Sequence, residues 1–265
     1  MEFSYSREQQ MVKAMLKKFA ETEIAPIAEE IDAEASYPYE TVEKLGKLGV
    51  MGMPFPPEYG GAGSDYLTYI MAVEELSKVD ASHGVIVQTH NALCCWPIFT
   101  YGTEEQKRKY LPDLLSGKKL GAFGLTEPNA GTDAAMQQTT AKDMGDHWLL
   151  NGSKIFISGG GIAEVYVVMA MTDKSKGNKG ISAFIVEKGM PGFSRGKKEN
   201  KMGIRGSIAA ELVFEDCVVP KENLLDQEGK GFKVAMSSLD VGRLGIAAQA
   251  LGVVVKLFCN ICEVL

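Results

Sequence analysis

Trp148-Leu149-Leu150-Asn151-Gly152-Ser153-Lys154-Ile155-Phe156-Ile157 is the stretch on which the reading of this chain turns. Two short runs of aliphatic and aromatic residues flank Asn151-Gly152, a pair that accepts positive φ and gives the strongest short-range signal for a β-hairpin. Working outward, β-branched and aromatic residues recur from about Leu120 in short runs bounded by Gly, Asn, Asp and Pro. Further strands are predicted at 165–171, 182–186 and 211–214. On either side the period becomes helical. Apolar residues stand three and four apart over 10–19 and 66–76, which lays one greasy stripe on a helix. Thr103-Glu104-Glu105-Gln106 has the form of a capping box, so a helix should start at Thr103, and Gly117 should stop it. From Gly231 a helical stripe returns through Val234, Leu239, Ile246 and Leu251. A helical segment 1–118, a β segment 119–229 and a helical segment 230–265 follow, an α+β multidomain chain.

Composition bounds the function. Lys and Arg number 28 against 34 Asp and Glu, a net charge of −6 without long like-charge runs, which argues against nucleic acid or an anionic membrane as the main partner. The N-terminus is polar and acidic, and no uninterrupted apolar run reaches membrane-spanning length, so a cytoplasmic location is expected. The five cysteines are odd in number and lack a secreted framework, so most should be reduced and buried; Cys259 and Cys262 form a CxxC with no second pair. His83, His90 and His147 show no metal-ligand spacing.

Three segments carry candidate chemistry. Phe123-Gly124-Leu125-Thr126-Glu127-Pro128-Asn129-Ala130-Gly131-Thr132-Asp133 runs from a strand into a loop of small and hydroxyl residues. Small side chains let backbone N–H groups approach a ligand, and the Thr126 and Thr132 hydroxyls suit ring carbonyls or phosphate oxygens; an ordinary turn has the same residues. Phe156-Ile157-Ser158 before Gly159-Gly160-Gly161 offers an aromatic face beside a hydroxyl, as a flat heteroaromatic ring requires, or simply a core Phe next to a loop. The glycines do not make a dinucleotide fingerprint, since Glu164 stands where a third Gly is needed and a strand follows. Asp240-Val241-Gly242-Arg243 places an Arg able to grip a phosphate or carboxylate on the late helix, where a surface ion pair is the plainer alternative.

These segments in this order, with Pro56-Pro57-Glu58-Tyr59-Gly60-Gly61-Ala62-Gly63, Tyr101-Gly102-Thr103-Glu104-Glu105-Gln106-Lys107 and Lys201-Met202-Gly203-Ile204-Arg205-Gly206-Ser207, resemble the acyl-CoA dehydrogenase family of short-chain, butyryl-CoA type over residues 1 to about 252. The resemblance implies an N-terminal all-α bundle, a middle β-barrel-like domain and the first helix of an incomplete C-terminal α bundle. It implies FAD as cofactor, α,β-dehydrogenation of an acyl-CoA thioester, electron-transfer flavoprotein as electron acceptor, and a homo-oligomer, tetrameric in full-length relatives. Carried over by motif position, Phe123, Leu125, Thr126 and the backbone through Gly131 line the flavin, and Thr132 lies between cofactor and thioester. Phe156 and Ile157 sit against the isoalloxazine, Ser158 bonds near N5, and Asp240, Val241, Gly242 and Arg243 contact the acyl-CoA. Met136 replaces a small residue and is expected to tighten its loop. No residue matches the family's glutamate base, and Val253-Val254-Val255-Lys256-Leu257-Phe258-Cys259 leaves the family pattern, so truncation or a frame change is expected, with a non-catalytic remnant or flavin- or CoA-binding module, and an acyl-CoA oxidase-like enzyme, as the alternatives to a working dehydrogenase.

Overall fold

The computed structural model describes residues 4–264. The first helix, α1 (Arg7–Phe19), opens on a capping box between Ser6 and Gln9. It continues through a π turn (Ala20–Ile24) and a 3-10 turn containing Pro26 (Ala25–Ile27) into α2 (Ala28–Glu34). Helices α3 (Tyr39–Lys47), α4 (Tyr66–Ser77) and α5 (Ala81–Thr89) follow. A second π turn, His90–Cys95, joins α5 to α6 (Trp96–Tyr101), and α7 (Glu104–Leu115) completes the segment. The capping box read from sequence forms: Gln106 N–H donates to Thr103 Oγ1 at 3.2 Å and Thr103 N–H to Gln106 Oε1 at 3.0 Å. Gly117, at φ +74°, turns the chain just beyond α7.

Eight strands form one sheet: β1 (Gly121–Gly124), β2 (Thr140–Asp143), β3 (His147–Ser158), β4 (Val165–Met171), β5 (Ile181–Glu187), β6 (Phe193–Lys198), β7 (Ala209–Pro220) and β8 (Leu224–Leu225). Their order is β6-β7-β3-β2-β4-β5-β8, with β1 parallel to β4. The sheet curls on itself in barrel-like fashion. Phe193 of β6 meets Tyr166 of β4 edge-on at 4.9 Å, and Arg195 of β6 donates to Gly161 O at 2.7 Å and to Ala163 O. Trp148, Phe184, Phe214 and Tyr166 fill the enclosed core. Val165–Met171 is buried throughout, as a strand covered on both faces must be.

One prediction fails instructively. Asn151-Gly152 is not a hairpin turn but lies inside β3, where the register against β7 shifts between Leu150 and Gly152. The Asn151 amide exchanges hydrogen bonds with Asp216, accepting from its N–H at 2.9 Å and donating to its Oδ1 at 3.0 Å, so the pair marks a bulge. Gly is required there because a Cβ would stand 2.7 Å from the Thr139 Cα. The real hairpin is β2–β3, turned at Gly145 (φ +96°).

The last helix, α8 (Gly231–Val264), is 34 residues long. Its near half crosses α4 and α5 closely: a Cβ on Gly245 would strike Gln88 and one on Gly252 the Glu74 carbonyl, while Gln249 Nε2 donates to Ala81 O at 3.1 Å. Beyond Gly252 it exposes Val253, Val254, Leu257, Phe258 and Ile261. Contrary to the sequence expectation, the stretch Gly231–Cys262 is long and apolar enough to cross a membrane by length and composition alone. Val234, Ala235 and Ala248 are buried along its length. Cys94, Cys95 and Cys217 are buried, Cys259 and Cys262 exposed, all with free thiols, and no metal-binding cluster occurs among the described residues.

Candidate active site

The two glycine-flanked stretches come together. Ile155 N–H donates to Thr126 O at 2.9 Å, which ties β3 to the loop leaving β1. Between Lys154 and Ile157 the β3–β7 register shifts a second time, and Phe156 takes φ +59°. That left-handed residue re-aims the strand: Ile157 stays buried while Phe156 is 62% exposed. A slot of about 160 Å³ opens there, lined by Phe123, Leu125, Thr126, Phe156, Ile157 and Ser158 on the sheet side. Thr89, Leu93 and Leu239 close it from the helices. A groove of about 580 Å³ shares Thr89, Leu93, Ser158 and Leu239 with the slot and runs along α8 past Gly242 and Arg243. The Thr126 and Ser158 hydroxyls have no protein partner among the described residues. An exposed aromatic face, apolar walls and two free hydroxyls fit a flat ring with polar edges.

The remaining sequence candidates lie apart from the slot. Gly131 and Thr132 are exposed at the tip of the loop, and a Cβ on Gly131 would meet nothing. Met136 is 63% exposed, in the 3-10 turn Ala134–Met136. Asp240 is exposed outside both cavities. Val241 faces a smaller cavity of about 110 Å³ with Tyr66, Tyr69 and Trp96. Gly242 O accepts from Gln88 Nε2 at 2.9 Å. Arg243 is exposed on the groove with no ion-pair partner among the described residues.

Two buried basic residues were not anticipated. His90, in the π turn, accepts Gly121 N–H on Nδ1 at 3.0 Å and contacts Leu114 O through Nε2 at 3.0 Å. Those partners fix the neutral Nε2–H tautomer, and burial pulls the imidazole down to about 4. It thereby docks β1 against the helical wall, where a Cβ on Gly121 would collide with Cys94. Lys154, fully buried on β3, donates to Glu127 Oε1 at 2.7 Å, Gln137 Oε1 at 2.9 Å and Leu125 O at 3.1 Å. Burial draws the lysine down to about 8 against the opposing pull of Glu127. Burial also pushes the Glu127 carboxyl up, but the lysine charge and the Gln138 N–H donor leave it below the ordinary carboxylate range. The carboxylate direction favours charge and the lysine direction opposes it, but about 8 still leaves the ammonium protonated at neutral pH. The only sequence signal for it was a Lys at an inward position of β3, between buried Leu150 and Ile157.

Residues 6–118 match the acyl-CoA dehydrogenase N-terminal domain and residues 122–217 the middle domain. The chain belongs to the acyl-CoA dehydrogenase family. Members of this family of oxidoreductases bind FAD. The chain is 59% identical over 253 residues to the short-chain specific acyl-CoA dehydrogenase of Clostridium acetobutylicum, covering 96% of this chain and 67% of that one. It superposes on the butyryl-CoA dehydrogenase of Megasphaera elsdenii with a TM-score of 0.97 at 52% identity, covering 99% of this chain and 70% of that one. A structure solved in work on the electron transferring flavoprotein of Acidaminococcus fermentans gives 0.95 at 57% identity, covering 97% and 67%. The chain thus spans about two thirds of the length of these relatives.

Proposed function

We propose that this acyl-CoA dehydrogenase chain supplies the flavin-facing wall for FAD-dependent α,β-dehydrogenation of short-chain acyl-CoA thioesters. The observation that carries the reading is the slot itself, in which Phe156, Ser158 and Thr126 converge beside a groove leading to Arg243. FAD, when bound, supplies the hydride acceptor. Phe156 stacks on its ring, the Thr126 and Ser158 hydroxyls bond its polar edge, and Phe123, Leu125 and Ile157 exclude water from that face. We assign Gly131 to the backbone path around the cofactor and Thr132 to the thioester side. Asp240, Val241, Gly242 and Arg243 are assigned to the acyl-CoA, with the free guanidinium of Arg243 placed to meet a phosphate or carboxylate.

No carboxylate lines the slot or the groove among the described residues, so the α-proton has no acceptor there. That observation favours a second reading for this chain by itself, a flavin- or acyl-CoA-binding module that does not turn over, since a general base is worth about 10²- to 10⁴-fold in rate. Likeness to a structure solved in work on an electron transferring flavoprotein supports such a flavoprotein as acceptor, and we include a homo-oligomer and a cytoplasmic setting in the proposal. Titrating the purified chain with FAD and following flavin fluorescence tests the core of the reading: saturable quenching is expected, and its absence defeats the assignment of the slot. Joining the chain to the final third of the Clostridium acetobutylicum relative and adding butyryl-CoA without oxygen should bleach the flavin, whereas binding without bleaching selects the module reading.

A further inference from the structure

The loop from Leu125 to Thr139 is anchored at both ends by one buried group. Lys154 Nζ spends its three N–H donors on Leu125 O at the loop's entry and on Glu127 and Gln137 side chains within it. Glu127 passes the restraint on: its carboxylate accepts the N–H of Gln138 at 2.6 Å and of Thr139 at 3.0 Å, at the loop's exit. The tip between them is exposed at Pro128, Asn129, Gly131, Thr132, Asp133 and Met136, with Ala130 buried and bridged to Glu127. Only two other hydrogen bonds join the described loop to β3, Ile155 N–H to Thr126 O and Thr139 Oγ1 to Ser153 O at 3.3 Å. An apolar residue at 154 would spare the desolvation of an ammonium, but it would orphan a backbone carbonyl, an amide oxygen and a carboxylate together.

We propose that Lys154 is a positioning residue, which through Leu125 O, Glu127 and Gln137 holds the 125–139 loop in the shape that presents Thr126 to the flavin ring. The inference rests on the flavin reading of the slot for its ligand, not for its mechanics. A merely structural ion pair would add stability without setting loop shape. The two roles separate in a variant that removes both charges, because replacing a buried pair by apolar residues of similar volume is often neutral or stabilising.

The test is Lys154→Met/Glu127→Leu in the full chain, with backbone hydrogen exchange of residues 126–139 and FAD titration as readouts. The double variant is expected to recover most of the stability that Lys154→Ala loses, while protection across the 126–139 amides and FAD affinity each fall about tenfold, the equivalent of one lost buried hydrogen bond. Protection and affinity within about twofold of wild type, in a folded double variant, overturn the proposal. Should that variant not fold, Gln137→Leu removes one of the three acceptors and leaves the charges paired. It should weaken both readouts without shifting the midpoint, and unchanged readouts again overturn the proposal. A wild-type chain that binds no FAD refutes the flavin reading alone, since the exchange arm still decides the clamp.

Discussion

The two walls of the slot are each held by a buried base, and the two bases are kept in opposite charge states. On the sheet side Lys154 is ionised, because Glu127 lies 2.7 Å away and two further oxygens complete its shell. On the helical side His90 sits in comparable burial with a backbone carbonyl and a backbone N–H as its main partners, and it stays neutral. Burial penalises charge at both sites; a compensating carboxylate decides which one keeps it. The consequence is mechanical. The sheet wall is tied by a cluster that reaches into the 125–139 loop, whereas the helical wall is docked by one ring bridging two elements, α7 and β1.

The largest effect should come from splitting the ionised pair. Lys154→Ala leaves Glu127 buried without its counter-charge, and about 3–5 kcal/mol of stability should vanish, read from the urea midpoint. The Lys154→Met/Glu127→Leu double variant should recover most of it. A single variant that loses under about 1 kcal/mol would place Glu127 in water and undo the contrast between the walls.

The sequence reveals these walls unequally. Helix starts and stops were legible where the signal is local, as in the Thr103–Gln106 box and the positive φ of Gly117. The 165–171 strand was legible because burial on both faces leaves an unbroken apolar run. Slot residues Phe123, Thr126, Phe156 and Ser158 were legible as types, an aromatic beside hydroxyls and glycines. What escaped depends on partners far along the chain. Asn151-Gly152 has hairpin chemistry, but Asp216, 65 residues on, captures the Asn side chain and turns the pair into a bulge. His90 and Lys154 likewise take their roles from Leu114 and Gly121, and from Glu127 and Gln137, none of them at helical or strand spacing.

Acid should distinguish the walls next. His90 titrates at about 4 in the folded chain against an ordinary value of 6.5, so the unfolded chain binds more protons between those values and stability must fall as pH drops through that window. The loss from this one group is at most about 3–4 kcal/mol. Glu127 is held below the ordinary carboxylate value of 4.5, so its contribution is present above that value and is lost only as pH falls further, through its folded pKa. A His90→Gln variant should therefore flatten the stability profile between pH 6.5 and 4 and leave the acid limb of Glu127 in place. If the profile of the variant overlays wild type, His90 is not the buried neutral group described above.

The smallest effect sits where the walls meet. Phe156 holds a left-handed backbone that disfavours any side chain with a Cβ, at a cost of about 1 kcal/mol, yet the residue is mostly exposed and repays little of that through burial. A strained, exposed aromatic is poorly explained by stability and well explained by a ligand that stacks on it. Phe156→Gly should raise stability by up to about 1 kcal/mol in thermal melts, while Phe156→Ala, which keeps the strain, should not. Both should weaken FAD, by about 1 kcal/mol of lost stacking, which is roughly fivefold in affinity. Stability and cofactor grip moving in opposite directions in one substitution is the signature of a residue kept for binding. If Phe156→Gly instead destabilises the chain, the ring is part of the core and the β wall of the slot is closed packing.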